Sequence, residues 1–243
     1  MTHADSSSGK KILTAAHEDY LKAVYILHAA GGEVTNSALA GYMEVSPAST
    51  TNMVKKLADL DLVIYEPYQS IQLTAAGERV ALEVLRHHRL LELYLYNKLN
   101  LPWELVHAEA EKLEHVISEA LEDAIAEALG NPTVDPHGDP IPTKDGRVEQ
   151  IGGVPLTKAA IRRPQRILRV LNQDAERLAY LGAMHLFPGS IVIVLKRAPF
   201  LGPLLIDSAG EHHALAFELA EQLLVTDISD AMLFPDASAG DEL

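Results

Sequence analysis

The chain has 243 residues, enough for one large domain or two to three small ones, each with an apolar core. It carries no cysteine, which excludes disulfides and thiolate ligands and fits a reducing cytoplasm; no run nears the roughly 18 apolar residues that span a bilayer, and the polar, Ser-rich start gives no expectation of a secretory leader. A formal net charge of −14 argues against nucleic-acid binding, for which only the placement of residues can argue; the first 80 residues repeat the bias, with Lys10, Lys11, Lys22, Lys55, Lys56 and Arg79 facing nine acidic side chains.

In chain order, Leu13, Leu21, Val24, Tyr25 and Leu27 recur at helical spacing and predict a helix across residues 12–30, stopped by Gly31 and Gly32. Residues 35–43 predict a short second helix. Ser46 followed by Pro47 is strong helix-start chemistry, a side-chain cap with proline at the first helical position, so residues 46–57 predict a third. Two short helices about one turn apart match a helix-turn-helix. Residues 62–66 and 70–74 are β-rich runs around Pro67-Tyr68-Gln69 and predict a hairpin, the wing of a winged helix.

Thr74 to Glu78 opens a long helix with cap-type spacing that reaches about Lys98. Pro102 restarts helix, expected to continue to Leu129 and to end at Gly130-Asn131-Pro132. Residues 131–165 are rich in proline and glycine and read as loop and linker. From Arg166 to about Ile228, the runs 191–195, 204–206, 214–216 and 223–225 predict short strands and a small β-barrel. The expected fold class is mainly α: an N-terminal segment and winged helix-turn-helix over 1–80, a helical domain over 81–145, a linker over 146–165, the β-barrel over 166–230 and a flexible tail over 231–243.

The third helix presents Ser46, Ala48, Ser49, Thr50, Thr51 and Asn52 at its leading end. Small hydroxyl and amide side chains there can approach base edges and phosphates in a major groove. Lys55, Lys56, Lys10 and Lys11 are candidates for the phosphate backbone. The plainer reading makes the Ser/Thr run a helix cap and the winged helix a protein-interaction module.

His107, Glu111, Glu114 and His115 stand at i, i+4, i+7 and i+8 on one face of the expected helix, and His88 and Glu92 repeat the i, i+4 spacing upstream. Oxygen and imidazole donors without thiolate suit a divalent cation such as Mn²⁺ or Fe²⁺. His107 and His115 would stand about 12 Å apart along the helix axis, too far to share one ion, so two sites per subunit is the geometric reading. The plainer alternatives stay open beside it. Glu111 and Glu114 can be a solvated face, Asp19 a charge complementing a helix dipole, and Asp135 and His137 turn formers in a Pro/Gly loop. Arg86 and Arg89 read as surface or ion-pair groups, Trp103 as packing, and His212-His213 as surface.

Together these segments resemble the diphtheria-toxin-repressor family of metal-dependent transcription regulators. The resemblance rests on residues 17–25, 45–57, His88 to Glu92, His107 to Val116 and the loop 131–142. The C-terminal part is similar to the SH3-like (FeoA-like) domain of the longer members, and the likeness spans roughly 210 residues in order. It implies a homodimeric, cytoplasmic repressor of metal-uptake genes that binds a palindromic operator in double-stranded DNA when loaded with Mn²⁺ or Fe²⁺. The family's primary site falls on Asp19, Glu111, Glu114 and His115, and a cation there would lock the winged helices at operator spacing. Its second site falls on His88, Glu92 and His107, with Asp135, His137 and Asp174 as candidates to complete it. Two departures stand out. Manganese regulators without the third domain place a glutamate where this chain has Lys22, and iron-type members place Met and Cys where it has Asp19 and Glu111.

Two other classes compete: a cytosolic metallohydrolase built on the same His/Glu cluster, and a winged-helix regulator of a small organic ligand. Against an enzyme, the chain shows no HExxH, no Gly-rich phosphate loop and no Ser or Cys nucleophile motif.

Overall fold

The computed structural model describes residues 13–66 and 69–228, so Lys10, Lys11 and the expected flexible tail lie outside the described residues. The chain divides into two compact units, Met1–Leu85 and Arg86–Leu243.

In the first unit, α1 (Ala15–Ala29), α2 (Asn36–Tyr42) and α3 (Pro47–Asp59) precede a hairpin of β1 (Val63–Ile64) and β2 (Gln72–Leu73). The starts of α2 and α3 are capped by side chains. Thr35 accepts the Ala38 N–H at the head of α2, and Ser46 accepts the Ser49 N–H at the head of α3. The strands pair antiparallel, Val63 with Leu73 and Ile64 with Gln72. Leu21, Val24, Leu39, Val54, Leu57 and Ile71 fill one core. Helix α4 (Ala75–Leu99) begins here, and Gly77 is required: a Cβ would stand 2.0 Å from the Leu62 carbonyl oxygen.

In the second unit, α4 continues into α5 (Val106–Leu113) and α6 (Glu119–Ala128). The single helix expected from Pro102 to Leu129 is thus broken. The α5 helix ends at its C-cap, Glu114, and Ser118 restarts the chain by accepting the Leu121 N–H. The β-branched pair Val116-Ile117 and a capping serine divide the run. His115 therefore lies beyond the helix, and the axial estimate of its distance from His107 does not hold.

A six-stranded antiparallel sheet follows, ordered β3-β8-β4-β5-β6-β7, from β3 (Val154–Pro155), β4 (Pro164–Val170), β5 (Ile191–Arg197), β6 (Leu204–Ser208), β7 (Glu211–Leu215) and β8 (Leu223–Asp227). The stretch expected to be a linker to residue 165 supplies β3 and a turn of 3₁₀ helix at Leu156–Lys158, so the sheet begins before Arg166. Helices α7 (Ala175–Ala183) and α8 (Phe217–Glu221) lie between strands, where only strands were expected. Trp103, from the connection between α4 and α5, is buried in this domain's core with Ile167, Leu178, Leu181 and Val194. A smaller cluster of Leu90, Leu91, Ala110, Ile125 and Ile141 holds the helices to the 131–142 loop. Among the described residues no helix is long and apolar enough to cross a membrane.

Candidate metal centre and DNA-reading helix

Helix α4 aims His88, Arg89 and Glu92 inward, and all three are buried. The His88 Nε2 lies 3.0 Å from both Glu92 Oε1 and His107 Nδ1, and His107 Nδ1 lies 3.0 Å from the same Glu92 oxygen. On its other side His88 Nδ1 hydrogen-bonds Glu114, which is fully buried at the end of α5, and Glu111 Oε1 stands 3.9 Å away. His115 Nε2 lies 3.3 Å from Glu114 Oε1. The structure thus brings His88, Glu92 and His107 into one group and His88, Glu111 and Glu114 into another, with His88 common to both. Asp19 lies on α1 of the first unit.

A third group faces the other oxygen of Glu92. Asp135 and His137 come from the Pro/Gly loop, and each is at most 4 % exposed. The Asp135 Oδ1 accepts the His137 and Asp139 N–H groups at 2.8 and 2.9 Å, so the carboxylate closes its own turn. Gly138, at φ +83°, lets the loop meet β4; a Cβ there would sit 2.0 Å from the Leu168 carbonyl oxygen. The Val170 N–H donates to the His137 carbonyl at 2.9 Å and fixes that docking.

His137 Nε2 lies 3.0 Å from the Trp103 carbonyl, which can only accept, so Nε2 carries a proton and Nδ1 turns inward, bare whenever the ring is neutral. That Nδ1 is 3.7 Å from Glu92 Oε2, too long for a hydrogen bond. Glu92 Oε2, Asp135 Oδ2 and His137 Nδ1 are all buried without a hydrogen-bond partner. Three such atoms on three potential ligands are what a cation would satisfy, and the donor set fits one.

The charges follow from this packing. Burial pushes the Asp135 carboxyl well above the ordinary carboxylate range, and the Asp139 and Glu92 charges push the same way. Burial also acts to raise Glu92, but the charge of His88 and the contacts of His107, His137 and His88 hold it well below that range. For His137, burial alone would lower the pKa, but Glu92, Asp135 and the Trp103 carbonyl raise it.

Several sequence-derived candidates need correction or addition. Asp174 joins none of these groups; its carboxylate caps α7 by accepting the Arg177 N–H at 3.0 Å. Asp139, Arg169 and Gln173 were not anticipated, nor was the set in which Glu122 binds Arg86 and His87 between α4 and α6. The repeated Asp-Pro of Asp135-Pro136 and Asp139-Pro140 was a legible signal for a carboxylate-closed turn.

On α3, Ala48, Ser49, Asn52, Lys55 and Lys56 are exposed, as a groove-facing edge requires. Ser46 caps the helix and Thr51 donates to the Pro47 carbonyl at 2.8 Å. Thr50 corrects the expectation of a base contact. It is fully buried, donates to the Ser46 carbonyl and lies 3.5 Å from the Tyr20 hydroxyl, so it faces the core.

Comparison with known proteins agrees with these features. Three family models match in succession: the N-terminal DNA-binding domain of iron-dependent repressors over residues 12–71, their metal-binding and dimerisation domain over 74–143, and the FeoA domain over 154–227. The chain is 39 % identical over 79 residues to the HTH-type transcriptional regulator MntR of Shouchella clausii, a match covering 32 % of this chain and 55 % of that protein. It is 36 % identical over 98 residues to an uncharacterised HTH-type transcriptional regulator of Methanocaldococcus jannaschii, covering 40 % of this chain and 78 % of that one. Among solved structures, one described as a manganese-dependent transcriptional repressor in complex with manganese superposes with a TM-score of 0.79 at 32 % identity, over 87 % of this chain and 99 % of that one. The chain belongs to the iron-dependent repressor family of metal-dependent transcriptional regulators, in its longer form with a C-terminal FeoA domain.

Proposed function

We propose that this chain is a homodimeric transcriptional repressor of metal-uptake genes whose hold on a palindromic operator is switched on by Mn²⁺, with Fe²⁺ as the second choice. The observation that carries this reading is the buried, unpartnered set Glu92 Oε2, Asp135 Oδ2 and His137 Nδ1. It lies in a region where His88, His107, Glu111 and Glu114 supply two further groups. Two ions per subunit fit this arrangement. Glu92, Asp135 and His137, with His88 and His107 beside them, would hold one, and Glu111, Glu114 and His115 the other. Asp19, on α1 of the first unit, stays a proposed ligand on the strength of the family pattern.

Bound there, a divalent cation supplies the positive charge that these carboxylates lack. Glu92 presents one oxygen to each side and links the two imidazole-bearing groups. The Trp103 carbonyl holds the His137 tautomer that leaves Nδ1 bare, as outer partners of ligand histidines do. Carboxylate oxygens and imidazole without thiolate favour Mn²⁺ or Fe²⁺ through geometry and availability, against the general affinity order. Metal and operator must each raise affinity for the other, since the coupling is reciprocal.

Dimerisation fits the exposed apolar side chains Leu99, Leu105, Val116 and Leu121 on the helical part of the second unit. We assign the clusters no catalytic role, and we place the protein in the cytoplasm. A catalytic metal keeps an open coordination position, whereas Glu92 and His137 are fully buried. The test is operator affinity titrated against Mn²⁺, Fe²⁺ and Zn²⁺, with bound metal counted per subunit. Mn²⁺-dependent binding that fails in Glu114→Ala is the expected result; equal binding after exhaustive chelation overturns the proposal.

A further inference from the structure

Among the described residues the buried group consists of Glu92, Asp135 and His137, and the β-sheet domain grips the loop bearing two of them. Asp139, four residues after Asp135, is 5 % exposed. The Arg169 guanidinium on β4 pairs with Asp139 Oδ1, and Gln173 Nε2, just before α7, donates to Asp139 Oδ2. From the opposite side, Arg89 on α4 donates to the Pro140 carbonyl and stands 3.8 Å from Asp139 and 3.9 Å from Asp135 Oδ2. The Asp139 N–H binds the Asp135 oxygen opposite the unpartnered one, so the orientation of Asp139 is passed to Asp135 through one hydrogen bond.

We infer that Asp139, clamped by Arg169 and Gln173 of the β-sheet domain and steadied by Arg89, is a positioning residue that sets the aim of Asp135 and His137. The inference rests on the proposed metal reading of that group and deepens it. The FeoA domain supports the buried site by holding the loop that bears two of its ligands. Three carboxylates, Glu92, Asp135 and Asp139, converge here, and two arginines are the cations facing them. Removing Arg169 leaves Asp139 less restrained and Asp135 free to turn its unpartnered oxygen toward Arg89, away from Glu92.

The test uses the full chain and Mn²⁺ alone. Bound Mn²⁺ is counted and its affinity measured by calorimetry. The electron paramagnetic resonance of the bound ion and the fluorescence of Trp103, the chain's only tryptophan, report on the site, because the Trp103 ring lies 5.6 Å from that of His137. His137→Ala first identifies the ion that depends on this group. Arg169→Ala and Gln173→Ala should then weaken that ion by about tenfold to a hundredfold, the usual effect of losing an outer partner, and leave the other unchanged. Arg169→Lys should restore part of the loss, and Arg163→Ala, whose partner is Asp227, should change nothing. Wild-type affinity in Arg169→Ala overturns the positioning role. If Arg169→Ala does not fold, unchanged affinity in both Gln173→Ala and Arg169→Lys overturns it instead. A His137→Ala protein that keeps every ion sinks the ligand reading itself, an outcome distinct from failure of the clamp.

Discussion

The two units bury their polar groups very differently. Among the described residues of the first, only Lys22 and Thr50 are buried polar side chains, set in a core of leucine, valine and isoleucine. The second buries His87, His88, Arg89, Glu92, Glu114, Glu122, Asp135, His137 and Asp139 within some fifty residues. A core of the first kind gives one stable arrangement, which suits a reading head that must present the same edge to DNA each time. Buried charges are costly unless matched, so the second unit holds a region whose energy changes when a cation arrives. The difference teaches where switching can reside: in the unit that gathers unsatisfied oxygen and nitrogen atoms on several potential ligands at one place.

The sharpest way to break this comparison is to remove the side chain shared by two of the groups. Glu92→Ala should cost at least about a hundredfold in Mn²⁺ affinity for one ion per subunit and abolish metal-dependent operator binding. The winged helix should stay folded, as judged by its own thermal transition. Retention of metal-dependent operator binding would place the switch elsewhere. The reciprocal change is Leu57→Ala, a fully buried side chain in the first core. It should destabilise that unit by about 2–5 kcal/mol and weaken DNA binding while the Mn²⁺ count per subunit stays unchanged. Loss of bound metal in Leu57→Ala would show that the two units are not separable in this way.

How far the sequence foretold these features follows from the range of the forces involved. Caps are local, so Thr35, Ser46 and Pro47 placed α2 and α3 within a residue or two. Ser118 carried the same signal, but the unbroken run of acids and alanines around it masked the break before α6. The hydroxyl of Thr50 suggests a base contact, whereas Thr50, Val54 and Leu57 form a buried stripe at helical spacing. Asp174 has the chemistry of a ligand, but the buried Leu178 and Leu181 that follow it at helical spacing mark it as a cap. The approach of His88 to Glu92 was legible because i, i+4 spacing is local, whereas His107 and Glu114 meet His88 only through packing. The pairing of Asp139 with Arg169, and of His137 with the Trp103 carbonyl, joins residues about thirty positions apart, and only the packed fold decides such partners.

A smaller effect sharpens the contrast by counting protons. In the metal-free protein His137 and Asp135 both hold a proton more tightly than usual, whereas Glu92 is already ionised. A cation must displace what His137 and Asp135 retain, so its affinity should rise with pH, by up to about tenfold per unit for each proton released, until the raised values are passed. Acidification works in the opposite sense and should weaken operator binding through the second unit. Mn²⁺ calorimetry in two buffers of different ionisation enthalpy measures the release directly. An affinity that does not rise with pH would contradict the buried group as a ligand set, and His137→Ala should reduce the proton count.

The least disruptive change tests the first unit alone. Ser46 accepts the Ser49 N–H at 3.2 Å and its hydroxyl lies 2.9 Å from that of Ser49, so it satisfies one of the unpaired groups at the head of the reading helix. Ser46→Ala should lower stability by about 1 kcal/mol, and operator affinity by about fivefold if that first turn must be ordered to bind. Ser46→Asn can cap equally well and should restore both. Ser46→Asp should restore stability but not affinity, because its charge would face phosphate at the groove edge. Mn²⁺ binding should be the same in all three, since the cap belongs to the unit that buries almost no charge. If Ser46→Ala leaves the thermal midpoint unmoved yet weakens the operator complex, the hydroxyl acts on DNA directly.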